Sequence, residues 1–382
     1  MRCLMFVAAM QVCGVLLAAD ALPPIPIDAF SDGIKHYRSG KDRKDYPRHA
    51  PDQIEAIARN ILLHQRDNGG WPCNWDPLRI LSDEEAAGLR ADKHKQDTSF
   101  DNRATYPQVE YLAHAHARLG DAALSDGALR GIEFILEAQH PCGGWPHSYP
   151  DRRNYRPHIT FMDDVTVGVL HTLRRLDAGE TPNDFIAAEL RARIRAAIEK
   201  GDVCILRLQV VVDGVPTVWA GQYDWETLQP AKARAYELPA LVSAESVRVV
   251  RYLMSIAPPT PEIIRAVEAA AAWFERSKIH GLRIERIPTD PIRYDHHTAT
   301  TDVVAMEDPD APPIWARFYE IETNRPFMAN RDGQKVYSLA EVHHERRSGY
   351  DWYSGAPASL LEKDLPAWRR RWTENNRDAP LP

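Results

Sequence analysis

One motif occurs twice in this chain, 74 residues apart: Gln65-Arg66-Asp67-Asn68-Gly69-Gly70-Trp71-Pro72 and Gln139-His140-Pro141-Cys142-Gly143-Gly144-Trp145-Pro146. Each copy follows an apolar helical segment, Ile61-Leu62-Leu63 in one case and Ile135-Leu136 in the other. Paired glycines allow a tight exit from a helix, and the Trp can fold over the helix ends. A helix pair closed twice by the same corner is the sequence form of a helical-hairpin array. Short loops make neighbouring helices antiparallel, so the expected fold is mainly α, an incomplete α/α toroid of helical hairpins.

Apolar spacing places helices at about 54–62, 104–119 (closed by Gly120), 123–139, 165–176 and 184–200, the last ending at Gly201. The second half reads differently. Leu206 to Val212, the turn Asp213-Gly214, and Val215 to Trp219 predict a β-hairpin. Helices follow at 244–256 and 261–277, and short strand-like pieces dominate from Ile279 onward. The expected organisation is a leader at 1–21, a helical partial toroid at 22–200, and a mixed region of helices and short β-strands at 201–382. That irregular half packs against the toroid and closes a groove.

Met1-Arg2, the apolar run Cys3 to Leu17 and the small-residue site Ala19-Asp20-Ala21 predict a cleaved export signal and a secreted or periplasmic protein. The run is shorter than the roughly 20 apolar residues of a membrane span. Removing the leader leaves Cys73, Cys142 and Cys204. Cys73 and Cys142 flank the two corners and are expected to pair, with Cys204 free. A formal net charge of −7 argues against a nucleic-acid partner. It leaves room for an acidic sugar bound by a local arginine cluster.

Two acidic pairs open helical segments: Asp101-Asn102 and Asp163-Asp164. Such residues can cap helices, or, if both helix starts face one groove, supply oxygen ligands to a hard cation such as calcium. Their separation is too long for a local calcium loop. Lys232 and Arg234 lie among alanines, with Pro230 and Pro239 on either side. Arg317, Arg325 and Arg331 fall among Phe318, Tyr319 and Phe327. Guanidinium forks suit carboxylates, and aromatic faces suit sugar rings.

In this order, the segments resemble polysaccharide lyase family 10, the α-helical pectate lyases. The matching pieces are Asn68 to Pro72, Phe100 to Thr105, Gly143 to Pro146, His158 to Phe161, Asp163-Asp164, Thr217 to Trp219, Ala233 to Glu237, Ser243 to Ser246, and Ala316 to Pro326. The resemblance implies a calcium-dependent lyase acting on polygalacturonate, a monomer with no membrane partner. It assigns calcium and substrate to Asp101, Asn102 and Asp163, the base to Arg234, and carboxylate binding to Lys232, Arg317, Arg325 and Arg331. The sequence departs from the family pattern at Met162, Gly221 and Tyr223, and Tyr294-Asp295-His296-His297 looks like an insertion. Two other readings remain at this point: a toroidal glycoside hydrolase with paired carboxylates, and an inactive uronate-binding paralogue.

Overall fold

The computed structural model describes residues 25–39, 45–295 and 297–375. The expected leader and its cleavage site, and His296 of the insertion, lie outside the described residues. Among these residues, twelve α-helices follow in order: α1 (Ser31–Ser39), α2 (Ile54–His64), α3 (Asp83–Ala91), α4 (Tyr106–Leu119), α5 (Ala122–Ala138), α6 (Val165–Ala178), α7 (Ala188–Arg207), α8 (Ser243–Ser255), α9 (Pro261–Arg276), α10 (His344–Gly349), α11 (Ala356–Ser359) and α12 (Leu365–Asn375). No helix among the described residues is long and apolar enough to cross a membrane.

The helices stand in two rows. One row is α4, α6 and α8; the other is α2, α5, α7 and α9, each packed on its neighbours and on the facing row. This is the expected mainly α, partly toroidal array.

The corners explain how the rows are stitched. Trp71 and Trp145 are fully buried. Their indole N–H groups donate to the carbonyls of Ile61 (2.7 Å) and Ile135 (2.8 Å) near the ends of the preceding helices. Gln65 Nε2 bridges Gly69 O and Gly127 O, while Gln139 Nε2 bridges Gly143 O and Ala197 O. Each corner is thereby tied to the next helix of its row. Gly69 (φ +91°) and Gly143 (φ +107°) cannot be replaced freely, because a Cβ would lie 2.3 Å from Arg130 O and 2.1 Å from Lys200 O.

Two further units, absent from the sequence reading, repeat the stitch. Trp219 donates to Ile205 O at 2.8 Å, with Gln209 bridging Thr217 O and Ala266 O. Trp315 donates to Phe274 O, also at 2.8 Å. Trp219 lies another 74 residues after Trp145, and Trp315 follows after 96. The longer interval contains an antiparallel hairpin, Leu282–Arg293 with Thr298–Glu307. The apolar core runs through all four units without interruption.

Several local expectations need correction. Helix α7 runs through Gly201, where a side chain would strike Leu170. Glycine in this helix serves close packing and does not stop it. The hairpin expected over 206–219 shrinks to Val211–Val212 paired with Val215–Pro216 around Asp213 (φ +50°) and Gly214. Leu206 continues α7, and Val218 and Trp219 are drawn into the core. The longest strands are those of the 282–307 hairpin, where short pieces were expected.

Cys73, Cys142 and Cys204 are all free thiols, so the expected Cys73–Cys142 bond is not formed. Cys142 lies near Cys204 instead, because its corner packs on α7 and not on the corner before it.

Candidate active site

The inner helices start at irregular turns, and those turns carry the acidic pairs. Asn102 (φ +50°), Arg103 (+59°) and Thr105 (+75°) precede α4, while Asp163 (+51°) and Asp164 (+62°) precede α6. Left-handed backbone at five non-glycine positions on two packed turns is a concentration of strain typical of functional sites. The turns are held from beneath. Thr105 Oγ1 accepts from Trp71 N and donates to Ser99 O, and Thr166 Oγ1 accepts from Trp145 N. Neither acidic pair makes a side-chain cap to its helix, so helix capping does not account for them.

Asp101, Asp163, Arg234 and Arg317 come together. Asp163 is half-buried, and its desolvation with the field of the Asp101 carboxylate pushes its carboxyl up to about 7 against the opposing pull of Arg317 and Arg234. Asp101 goes the other way. Burial opposes its charge, but His147 at 3.2 Å, with Arg234 beyond, holds it down to about 2. Asn102 Nδ2 donates to Asn74 Oδ1 (2.8 Å) and Asp101 Oδ2 (3.2 Å). Asp164 turns away from this group and is clamped between Arg103 (2.8 Å) and Arg248 (2.7 Å).

Arg234 is 42% exposed and grips Glu237 with two parallel bonds, Nε to Oε2 (2.7 Å) and Nη2 to Oε1 (2.5 Å). Burial opposes its charge, yet Glu237 holds its proton affinity above the ordinary arginine value. The carboxylate neighbour therefore works against the neutral guanidine that a base must become.

Short strand pairings bring Arg317 to the same place. Leu241–Val242 pairs with Phe318–Tyr319, so Ser243 N bonds Arg317 O and the start of α8 faces Arg317. Arg317 Nη2 meets Glu245 at 2.6 Å, and its guanidinium lies 4.5 Å from the Tyr350 ring centre.

The other expected residues are less central. Arg331 reaches the edge of the group, over Tyr236 and paired with Glu345 at 2.9 Å. Lys232 is exposed two residues before Arg234. Arg325 stacks on Tyr337, 3.5 Å from the ring centre, and its described contacts do not reach Asp101, Asp163, Arg234 or Arg317. His147, Glu237, Glu245 and Tyr350 were missed by the sequence reading. His147 carried a signal as the residue directly after the second corner, Glu237 and Glu245 lay inside segments that match the family pattern, and Tyr350 carried none.

The departures from the family pattern are structural. A Cβ on Gly221 would lie 2.8 Å from the Met162 sulfur, so the two residues fit each other. Tyr223 OH accepts from Ala220 N and donates to Leu208 O, both at 2.6 Å.

No three His, Cys, Asp or Glu side chains among the described residues form a ready-made metal cage. The oxygens of Asp101, Asn102 and Asp163 nonetheless suit a hard cation, and two mutually repelling carboxylates are the charge distribution such an ion relieves.

A family model described as pectic acid lyase matches residues 65–361. The chain belongs to this family. Among solved structures, it is similar to a family 10 polysaccharide lyase from Cellvibrio cellulosa, at 28% identity and a TM-score of 0.69, covering 90% of this chain and 99% of that one. An Asp-to-Ala mutant of a family 10 polysaccharide lyase from the same organism, in complex with trigalacturonic acid, matches with the same identity and coverage and a TM-score of 0.68. A search of curated proteins returned no match. The chain is thus a pectate lyase of polysaccharide lyase family 10, and the hydrolase reading falls away.

Proposed function

We propose that this lyase is exported, as a monomer, and cleaves polygalacturonate by calcium-assisted β-elimination in a groove between residues 22–200 and 201–382. The observation that carries the reading is the convergence of Asp101, Asp163, Arg234 and Arg317. Asp101, Asn102 and Asp163 would hold calcium. When bound, calcium supplies a Lewis-acid charge that acidifies the proton α to the uronate carboxylate.

The chain's own groups do the rest. Arg317, with Arg331 and Lys232 at the rim, binds substrate carboxylates and fixes the ring. Arg234, in its neutral form, takes the C5 proton. The C5–H electron pair becomes the C4–C5 double bond, the C4–O bond breaks, and the leaving oxygen takes a proton from water. Because Glu237 favours the charged guanidinium, turnover is expected to rise with pH. Export rests on the leader-like residues 1–21. Arg325, away from the convergent group, is left without a role at the reacting sugar.

The test is incubation with polygalacturonate and calcium, following ultraviolet absorbance of the unsaturated product. Arg234→Ala and Arg234→Lys should each lose at least about 10²-fold in kcat, because a single ammonium cannot reproduce the planar fork. Trigalacturonic acid binding should persist. Near-normal turnover in Arg234→Ala would remove Arg234 as the base.

A further inference from the structure

Two positively charged guanidiniums, Arg234 and Arg317, are held near each other on segments far apart in sequence, and like charges do not settle there unaided. Between them lies Tyr350, at the end of α10. Its ring centre is 4.5 Å from the Arg317 guanidinium carbon and 5.9 Å from that of Arg234. Its hydroxyl donates to Glu237 Oε1 at 2.7 Å. The same oxygen accepts from Arg234 Nη2, while Oε2 accepts from Arg234 Nε and, at 3.2 Å, from the Arg234 backbone N–H. Glu237 itself is 5% exposed. Its backbone N–H bonds Arg234 O (2.8 Å), and its carbonyl accepts from Ala233 N (3.0 Å).

The ring of Tyr350 is braced in turn. It packs edge-on to Trp352 (4.9 Å between centres) and Tyr236 (5.1 Å), and lies near-parallel to Phe318. Trp352 O accepts from Arg317 N at 2.7 Å. One phenol therefore connects the backbone segment of Arg317 to the carboxylate that aims Arg234.

We propose that Tyr350 and Glu237 are positioning residues for the elimination, fixing the Arg234 guanidinium at a set place and angle relative to Arg317. The proposal rests on Arg234 being the base. Proton abstraction needs one nitrogen within reach of C5–H while Arg317 holds the carboxylate of the same sugar, and a misplacement of about 1 Å can lower the rate about 10²-fold. Besides Glu237, the charged and titratable groups around Arg234 are Tyr236, Tyr350, Tyr155, Asp101, Asp163 and Arg331. Glu237 is the carboxylate in direct contact.

Tyr350→Phe keeps the ring and removes only the hydroxyl bond. Its kcat on polygalacturonate should fall about tenfold, with KM and trigalacturonic acid affinity little changed. Glu237→Gln keeps the shape and removes the counter-charge. Its kcat at the optimum should fall further, and the rising limb of its pH profile should move to lower pH, because Arg234 then gives up its proton more readily. A purely structural role would lower the unfolding midpoint without moving that limb. Wild-type kcat in Tyr350→Phe, or an unmoved limb in a folded Glu237→Gln protein, overturns the proposal. Should Glu237→Gln not fold, Tyr350→Phe decides alone. Arg234→Ala, run alongside, keeps the two readings separate. An inactive Arg234→Ala with wild-type Tyr350→Phe rejects the positioning role only, while an active Arg234→Ala rejects the base.

Discussion

Glu245 accepts a 2.6 Å bond from Arg317 through Oε1 and leaves Oε2 buried without a protein partner. Arg317 Nε is likewise buried and unbonded.

This pairing makes Arg317 a stability residue, beside the substrate-binding role proposed for it. Arg317→Ala should strand the Glu245 charge and lower the unfolding free energy by about 3 kcal/mol. Adding Glu245→Gln should restore most of the stability but not the affinity for trigalacturonic acid. Urea denaturation and a binding titration of the three variants check this. Equal stabilities of the single and double variants would show that the pair is not coupled.

Calcium dependence is expected to run through Asp163. Excess chelator should abolish formation of the unsaturated product, and added calcium should restore it. Asp163→Asn should lose turnover by on the order of 10²-fold with its fold intact, since Asn tolerates the left-handed backbone. Undiminished activity in chelator contradicts this outcome.

The corners give a prediction with no bearing on chemistry. Trp145→Phe removes the N–H that satisfies Ile135 O in a fully buried place. A loss of about 2 kcal/mol is expected, with kcat unchanged. Trp71→Phe and Trp219→Phe should show losses of the same size, read from thermal or urea unfolding.

Acid should weaken the fold through His64. It is buried against Trp75, with ring centres 3.9 Å apart. Burial, with Arg66, Lys93 and Arg79 nearby, lowers its proton affinity to about 4. The folded state therefore prefers neutral His64 while the unfolded chain titrates near pH 6.5. Stability from this residue is full above that value and is lost progressively as pH falls toward 4, by about 3 kcal/mol. In His64→Gln, the difference in urea midpoint between pH 7 and pH 4.5 should shrink. An unchanged difference would assign the acid sensitivity elsewhere.

The helical array was legible because the first two corners share Gly-Gly-Trp-Pro, and at both of them a Cβ on the first glycine would run into the backbone of the next helix. The third corner escaped notice because Thr217-Val218 stands where the glycines would be, although Trp219 keeps the 74-residue spacing. The fourth was displaced by the 282–307 hairpin. At the site, the residues of the two acidic turns and the two central arginines could be named from local pattern and resemblance. Their partners could not. Tyr350 meets Glu237 across 113 residues and Arg317 meets Glu245 across 72, and neither pairing leaves a periodic trace. Helix capping would have explained the acidic pairs equally well from sequence, and only the backbone angles and the missing side-chain caps separate the two.

Those angles bear on how such a site could arise. A left-handed turn admits Asn and Asp more readily than most residues, and a hard cation asks for the same oxygen-bearing side chains. Two independent filters thus select one pair of residue types at 102 and 163. Along a mutational path, exchange between Asn and Asp leaves the chain trace undisturbed while changing the charge offered to an ion. A β-branched apolar replacement fails both filters at once. In the proposed site, ligand charge, and with it ion affinity, can therefore drift without a change in the shape of the loops.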